Sequence, residues 1–197
     1  MAIHLQKEER LPVHLSELKV CIGWDPNPAD DDPPFDLDLS ALMLDKNQKI
    51  PNEGYFVFYN RLSSQDNSII HSGDDRTGEM SDGGDDETVS INLARLDPQI
   101  REIIFAVTIY QYEHRDDQHF GQVSNSYIRM LDLNTGEEKL RYSLREEYPG
   151  ESALEYGALV NNHGVWQFEA RGIARNGGLR GMLEKYSDLE ITAQRSS

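Results

Sequence analysis

Alternation of apolar and polar positions dominates the chain, and its period is that of strands. Leu18, Val20, Ile22 and Trp24 alternate with Lys19, Cys21 and Gly23, which predicts a half-buried strand ending at Asp25. The pattern resumes in FDLDLSALML, where Leu37, Leu39 and Ala41 fall on one face and Asp36, Asp38 and Ser40 on the other. Two carboxylates on one side of a strand make either an ordinary solvent face or a ligand arm, and spacing alone leaves both open. Asp25, at the end of the preceding strand, is placed to join such an arm. YFVFYN (55–60) is a continuous apolar run, read as a strand covered on both sides. SIIH and TVSINL predict strands on either side of an acidic stretch. EIIFAVTIYQY is the most strand-prone segment and is expected to lie centrally. SNSYIRMLDL, KLRYSL, the alternation of Trp166, Phe168 and Ala170, and a closing LEITA add four more strands.

Helical signals come late and are few. LDPQIR reads as a helical turn, with Pro98 at a tolerated first position. Ser152 and Glu155 form a capping-box pattern that predicts a helix through ALEYGALV, although Gly157 weakens it. Leu179, Met182, Leu183 and Tyr186 follow the spacing of a one-faced amphipathic helix. PNPADDDPP and HRDDQHFGQ read as exposed connections, and NTGEE as a turn with Gly136 at positive φ. About nine or ten strands with short helices predict a mainly β fold: a two-sheet sandwich in one domain over 1–197, with a polar extension from about residue 192.

The stretch Gly73–Glu87, GDDRTGEMSDGGDDE, changes this picture from fold to chemistry. It holds seven acids and one base. Carboxylates at that density repel one another unless a cation sits among them. Its glycines permit the tight turns of a coordinating loop. Six to eight oxygens at flexible geometry suit calcium better than the strict octahedron of magnesium, for one ion or two. Neither familiar calcium pattern fits. An EF-hand starting at Asp74 has Arg76 and Gly78 at its third and fifth positions, and one starting at Asp82 has Gly84 at its third. The GGDD of Gly83–Asp86 lacks the tandem copies of a β-roll repeat. The expected site is therefore a metal loop of another type between two strands.

Charge narrows the partners. A net charge of −16 excludes direct nucleic-acid binding, which needs a basic face to displace counterions. No apolar run is long enough to span a membrane, and MAIHLQKEER lacks an apolar signal core, so a soluble cytoplasmic protein is expected. The single cysteine, Cys21, can form no internal disulfide and reads as a small buried hydrophobe. Among the six histidines no pair has the spacing of a helical zinc site. There is no nucleophile elbow, Walker loop or dinucleotide fingerprint. A metal-assisted hydrolase using the same carboxylates stands as the alternative to a binding module.

With those residues read, the chain resembles the TerD family of tellurium-resistance and stress-response proteins. The resemblance is carried by GWD (23–25), FDLDLSALML, FVFYN, HSGDDRTGE with GGDDE, AVTIY, FGQVSNSYIRMLD, and the late Trp166, Phe168 and Gly177–Leu179. It spans nearly the whole chain in order. It implies a β-sandwich that binds one or two Ca2+ ions and has no established enzymatic reaction: a calcium-dependent interaction or sensor module. The implied ligands are Asp25, Asp36, Asp38, Asp74, Asp75, Thr77, Gly78, Glu79, Asp85, Asp86 and Glu87, with Thr77 and Gly78 giving carbonyl or hydroxyl oxygens. It further implies a cytoplasmic bacterial protein with protein partners in a stress-response complex, one able to sit at the periphery of the inner membrane.

Overall fold

A computed structural model of the chain describes residues 2–27, 33–76, 84–110, 118–143, 148, 150–175 and 177–188. Twelve strands occur among them: β1 (Ile3–His4), β2 (Arg10–Pro12), β3 (Glu17–Gly23), β4 (Leu37–Leu44), β5 (Phe56–Val57), β6 (Ile69–His71), β7 (Glu87–Asn92), β8 (Glu102–Ile109), β9 (Tyr127–Asp132), β10 (Glu138–Ser143), β11 (Ala153–Asn162) and β12 (Val165–Arg175). One helix follows, α1 (Gly178–Tyr186). The strands form two six-stranded sheets, in the orders β1-β10-β9-β3-β7-β6 and β2-β12-β11-β8-β4-β5. The protein is mainly β with two sheets, as the alternation predicts. Among the described residues, no helix is long and apolar enough to cross a membrane.

The two sheets differ in how they meet solvent. In the first, β7 and β9 alternate buried and half-buried residues along their length, the signature of a sheet wetted on one face. In the second, β4 and β8 are buried at every position. EIIFAVTI is therefore central, as expected, with β4 and β11 as its neighbours. The α1 helix packs across β8, β11 and β12 and buries Met182, Leu183 and Tyr186, the face its spacing predicts. One apolar cluster runs through both sheets.

Three sequence expectations are corrected. ALEYGALV is part of β11, not a helix, because Ala153, Leu154, Tyr156, Ala158 and Leu159 are all buried between neighbours on both sides. Pairing with β8 and β12 overrides the local capping pattern, and Gly157 marks a register shift in place of a weak helix. YFVFYN keeps only Phe56–Val57 as a strand, preceded by a short 3-10 turn over Glu53–Tyr55. LDPQIR forms turns, with the Asp97 carboxylate accepting from the Gln99 N–H. The short β1 and β2 add to the count; Pro12 is tolerated in β2 because that strand lies at a sheet edge. Gly136 takes the expected positive φ of 71°. LEITA and the polar tail lie outside the described residues.

Candidate metal centre

The acidic stretch connects β6 to β7, neighbours in the first sheet, yet it delivers a carboxylate to the second. Asp36 precedes β4 and Asp38 lies within it, and alternation turns both to the same side. One carboxylate oxygen from each of Asp36, Asp38 and Asp74 lies within 4.8 Å of the others. Two oxygens bound about 2.4 Å from a calcium ion stand up to about 4.8 Å apart across it, so this spacing fits a shared ion. Asp36 and Asp38 are 2% and 1% exposed, which removes the solvent-face reading of that strand. Like charges this close repel by at least about 3 kcal/mol per pair at an effective dielectric constant near 20. The Arg76–Asp74 ion pair, at 3.9 Å, lies largely in solvent and offsets little of that repulsion.

A second feature points the same way. Ser40 continues the alternation of Asp36 and Asp38 one step into the sheet and is fully buried, yet its Oγ has no hydrogen-bond partner. Buried polar atoms are nearly always satisfied, so an unsatisfied hydroxyl beside converging carboxylates marks a place suited to a polar ligand. The Asp36 carbonyl accepts from the Tyr110 N–H at 2.8 Å, which fixes the start of the strand that carries the pair.

The remaining nominated residues that the structure describes have other partners. Asp85 forms a two-armed ion pair with Arg129, at 2.7 and 3.0 Å, and accepts from the Tyr127 hydroxyl at 3.1 Å. Tyr127 lies so close over Gly23 that a Cβ there would approach its hydroxyl oxygen to 2.5 Å, which explains the glycine of GWD. Burial, and then the Asp85 charge, push the Tyr127 hydroxyl up to about 12. Burial and Asp85 likewise push the Cys21 thiol far above its ordinary value, leaving it an inert buried side chain. Asp86 closes the end of β3: its carboxylate accepts from the Trp24 N–H at 2.9 Å and its own N–H donates to the Ile22 carbonyl at 2.9 Å. Asp25 accepts from the Asn125 side chain at 2.5 Å. Asp75 is buried, and its N–H donates to Glu87 at 3.2 Å. Thr77, Gly78 and Glu79 lie outside the described residues.

Glu87 is the first residue of β7 and is fully buried. Burial raises its carboxyl above the usual range, against the pull of the nearby His71 ring and of bonds from the Leu39 and Asp75 N–H groups. Residue type alone does not single out His71 among six dispersed histidines, nor Tyr127 and Arg129. The signal for His71 lay in the period of β6, which buries Ile69 and His71 and exposes Ile70.

The model described as the TerD domain matches residues 1–186. General stress protein 16U of Bacillus subtilis is 39% identical over 191 residues, covering 94% of this chain and 97% of that protein. Tellurium resistance protein TerD of Serratia marcescens is 40% identical over 172 residues, covering 87% and 88%. The crystal structure of a homologue of a telluride resistance protein from Streptomyces coelicolor superposes with a TM-score of 0.69 at 26% identity, covering 84% of this chain and 94% of that one.

Proposed function

This chain belongs to the TerD family, and on that premise we propose that it is a calcium-binding protein of the tellurium-resistance and stress-response type. Its acidic end would hold Ca2+ as a non-enzymatic interaction or sensor module in the cytoplasm, with protein partners in a stress-response complex. The observation that carries the reading is the convergence of Asp36, Asp38 and Asp74. The unsatisfied Ser40 hydroxyl supports it. Support for a role without catalysis comes from the relatives, which are named for resistance and stress and not for a reaction.

The chemistry assigned to the ion is charge compensation. Asp38 comes from a buried strand and Asp36 from the residue just before it, and Asp74 from the flank of a glycine-bearing loop. Binding replaces repulsion with coordination and gives that end of the sandwich one fixed surface. Calorimetric titration tests the proposal. Calcium should bind more tightly than magnesium and, at a hundredfold excess over its dissociation constant, stabilise the fold by about 2.7 kcal/mol. Equal thermal shifts with the two ions, or no heat with calcium, would remove the reading.

A further inference from the structure

The strand that carries Asp38 is incomplete on one side. Along its β8 edge, β4 is paired from Leu37 to Leu44. Along the other, β5 covers only Ala41 and Leu42. Beyond that short partner, the backbone of Leu39 meets two side chains from the opposite sheet. Its N–H donates to Glu87 Oε2 at 2.6 Å, and its carbonyl lies 2.9 Å from His71 Nε2. A neighbouring strand would offer Leu39 one acceptor and one donor; here a carboxylate and an imidazole offer the same.

The other half of each side chain faces the acidic loop. The Gly73 N–H donates to His71 Nδ1 at 3.0 Å, and the Asp75 N–H donates to Glu87 Oε1 at 3.2 Å. An Nδ1 that accepts cannot carry the proton, so Nε2 carries it and donates to Leu39. The 3.6 Å approach of Nε2 to Glu87 is then a side contact, since the Nε2 proton is engaged at Leu39. Gly73 holds a φ of 112° to make this turn, a conformation that favours glycine. Two buried side chains thus hold four backbone groups: two at Leu39, next to Asp38, and two that bracket Asp74.

We propose that His71 and Glu87 form a clamp that sets the distance between Asp38 and Asp74, acting as positioning residues for the metal site and not as its ligands. The proposal rests on the calcium reading for its functional consequence and on hydrogen-bond geometry for its structural one. A hard cation prefers oxygen to imidazole nitrogen, and both nitrogens of His71 are already engaged. Each oxygen of Glu87 likewise serves a backbone N–H. Coordination tolerates errors of a few tenths of an ångström, so slackening either half should weaken binding without removing any ligand oxygen.

The test is calcium calorimetry on the full chain with His71→Phe, His71→Gln, Glu87→Gln and, as a control, Phe168→Leu in the core away from the site. His71→Phe keeps the ring volume and loses both bonds. His71→Gln restores the donor to Leu39. The expected result is at least a tenfold loss of affinity in His71→Phe, partial recovery in His71→Gln, a loss in Glu87→Gln, and wild-type affinity in Phe168→Leu despite its lower melting temperature. Wild-type affinity in His71→Phe overturns the clamp, and so does an equal loss in the Phe168→Leu control. If His71→Phe does not fold, His71→Gln and Glu87→Gln decide by the same measure. Should the wild-type protein itself bind no calcium, the metal reading falls alone. Amide exchange in the metal-free protein then judges the clamp: faster exchange at Gly73 in His71→Phe, and at Leu39 or Asp75 in Glu87→Gln, supports it, and unchanged protection overturns it.

Discussion

Two buried glutamates, Glu87 and Glu155, are 0% and 1% exposed, and their surroundings shift them in opposite directions. Burial raises Glu87, and the bonds that reach it do not cancel that effect. Burial would raise Glu155 too, but bonds from Tyr186, Arg175 and Lys185 outweigh it and hold the carboxyl below its usual range. Around Glu155 each carboxylate has cations to meet: Glu102, Glu155 and Glu169 pair with Arg10, Arg171, Arg175 and Lys185. Strand register places Glu102 and Glu155 on the same face of the second sheet as Asp38 and Ser40. One sheet face therefore carries a network that supplies its own cations and, farther along, a set of carboxylates drawn together. The first fastens α1 through the Tyr186–Glu155 hydrogen bond of 2.5 Å. The second brings carboxylate oxygens of Asp36, Asp38 and Asp74 within 4.8 Å of one another.

Glu155→Ala puts the sharpest strain on this contrast. Breaking a buried ion network by removing one partner costs about 3 kcal/mol, and denaturant unfolding should show a loss of that size while calcium affinity stays as in the wild type. Asp38→Asn should do the reverse. Calcium affinity should fall at least a hundredfold, equivalent to about 2.7 kcal/mol, with no loss of stability in the metal-free protein. If metal-free Asp38→Asn unfolds as readily as Glu155→Ala, the acidic cluster is a structural network like the other and the contrast is gone.

Acid should separate the two glutamates more gently. Glu155 has a lowered folded-state value, so its stabilisation is complete above the ordinary carboxylate range and disappears as the pH falls through that lowered value. Glu87 has a raised one, so protonation as the pH falls through it relieves a burial cost. Melting temperature against pH, compared with Glu155→Gln and Glu87→Gln, should show slopes of opposite sign. The smallest effect belongs to the exposed Arg180–Glu184 pair on α1, where Glu184→Ala should change stability by no more than about 0.5 kcal/mol.

Much of this was legible in the chain. Period-two alternation located β3 and β4, a continuous strand-prone run located β8, and the 3.6 period located α1. β11 escaped because its burial on both sides erases the alternation, leaving a local capping pattern to mislead. At the acidic end, residue type announced the chemistry, and the two aspartates of FDLD stand together as their spacing allowed. Composition could not divide carboxylates that face one another from those that serve the frame. Asp85 and Arg129 are 44 residues apart in sequence, and Asp86 caps a strand that ends far upstream. Such pairings are set by sheet order, which no local window contains. His71 was hidden for the same reason, since its role depends on where β5 stops.

Asp38, within a strand of the second sheet, and Asp74, in a connection of the first, are separated by about 36 residues of chain. An ion gripping both would close that interval into a ring and stitch the sheets together at one end. Unlike a disulfide, such a link does not persist in the unfolded chain, so it stabilises only through binding to the folded state, by about 2.7 kcal/mol at a hundredfold excess over the dissociation constant. With a lone buried cysteine, the chain cannot make such a link covalently. A calcium cross-link would instead be reversible: fastened when the ion is plentiful, undone by a chelator, with resistance to unfolding following the free calcium of the surroundings.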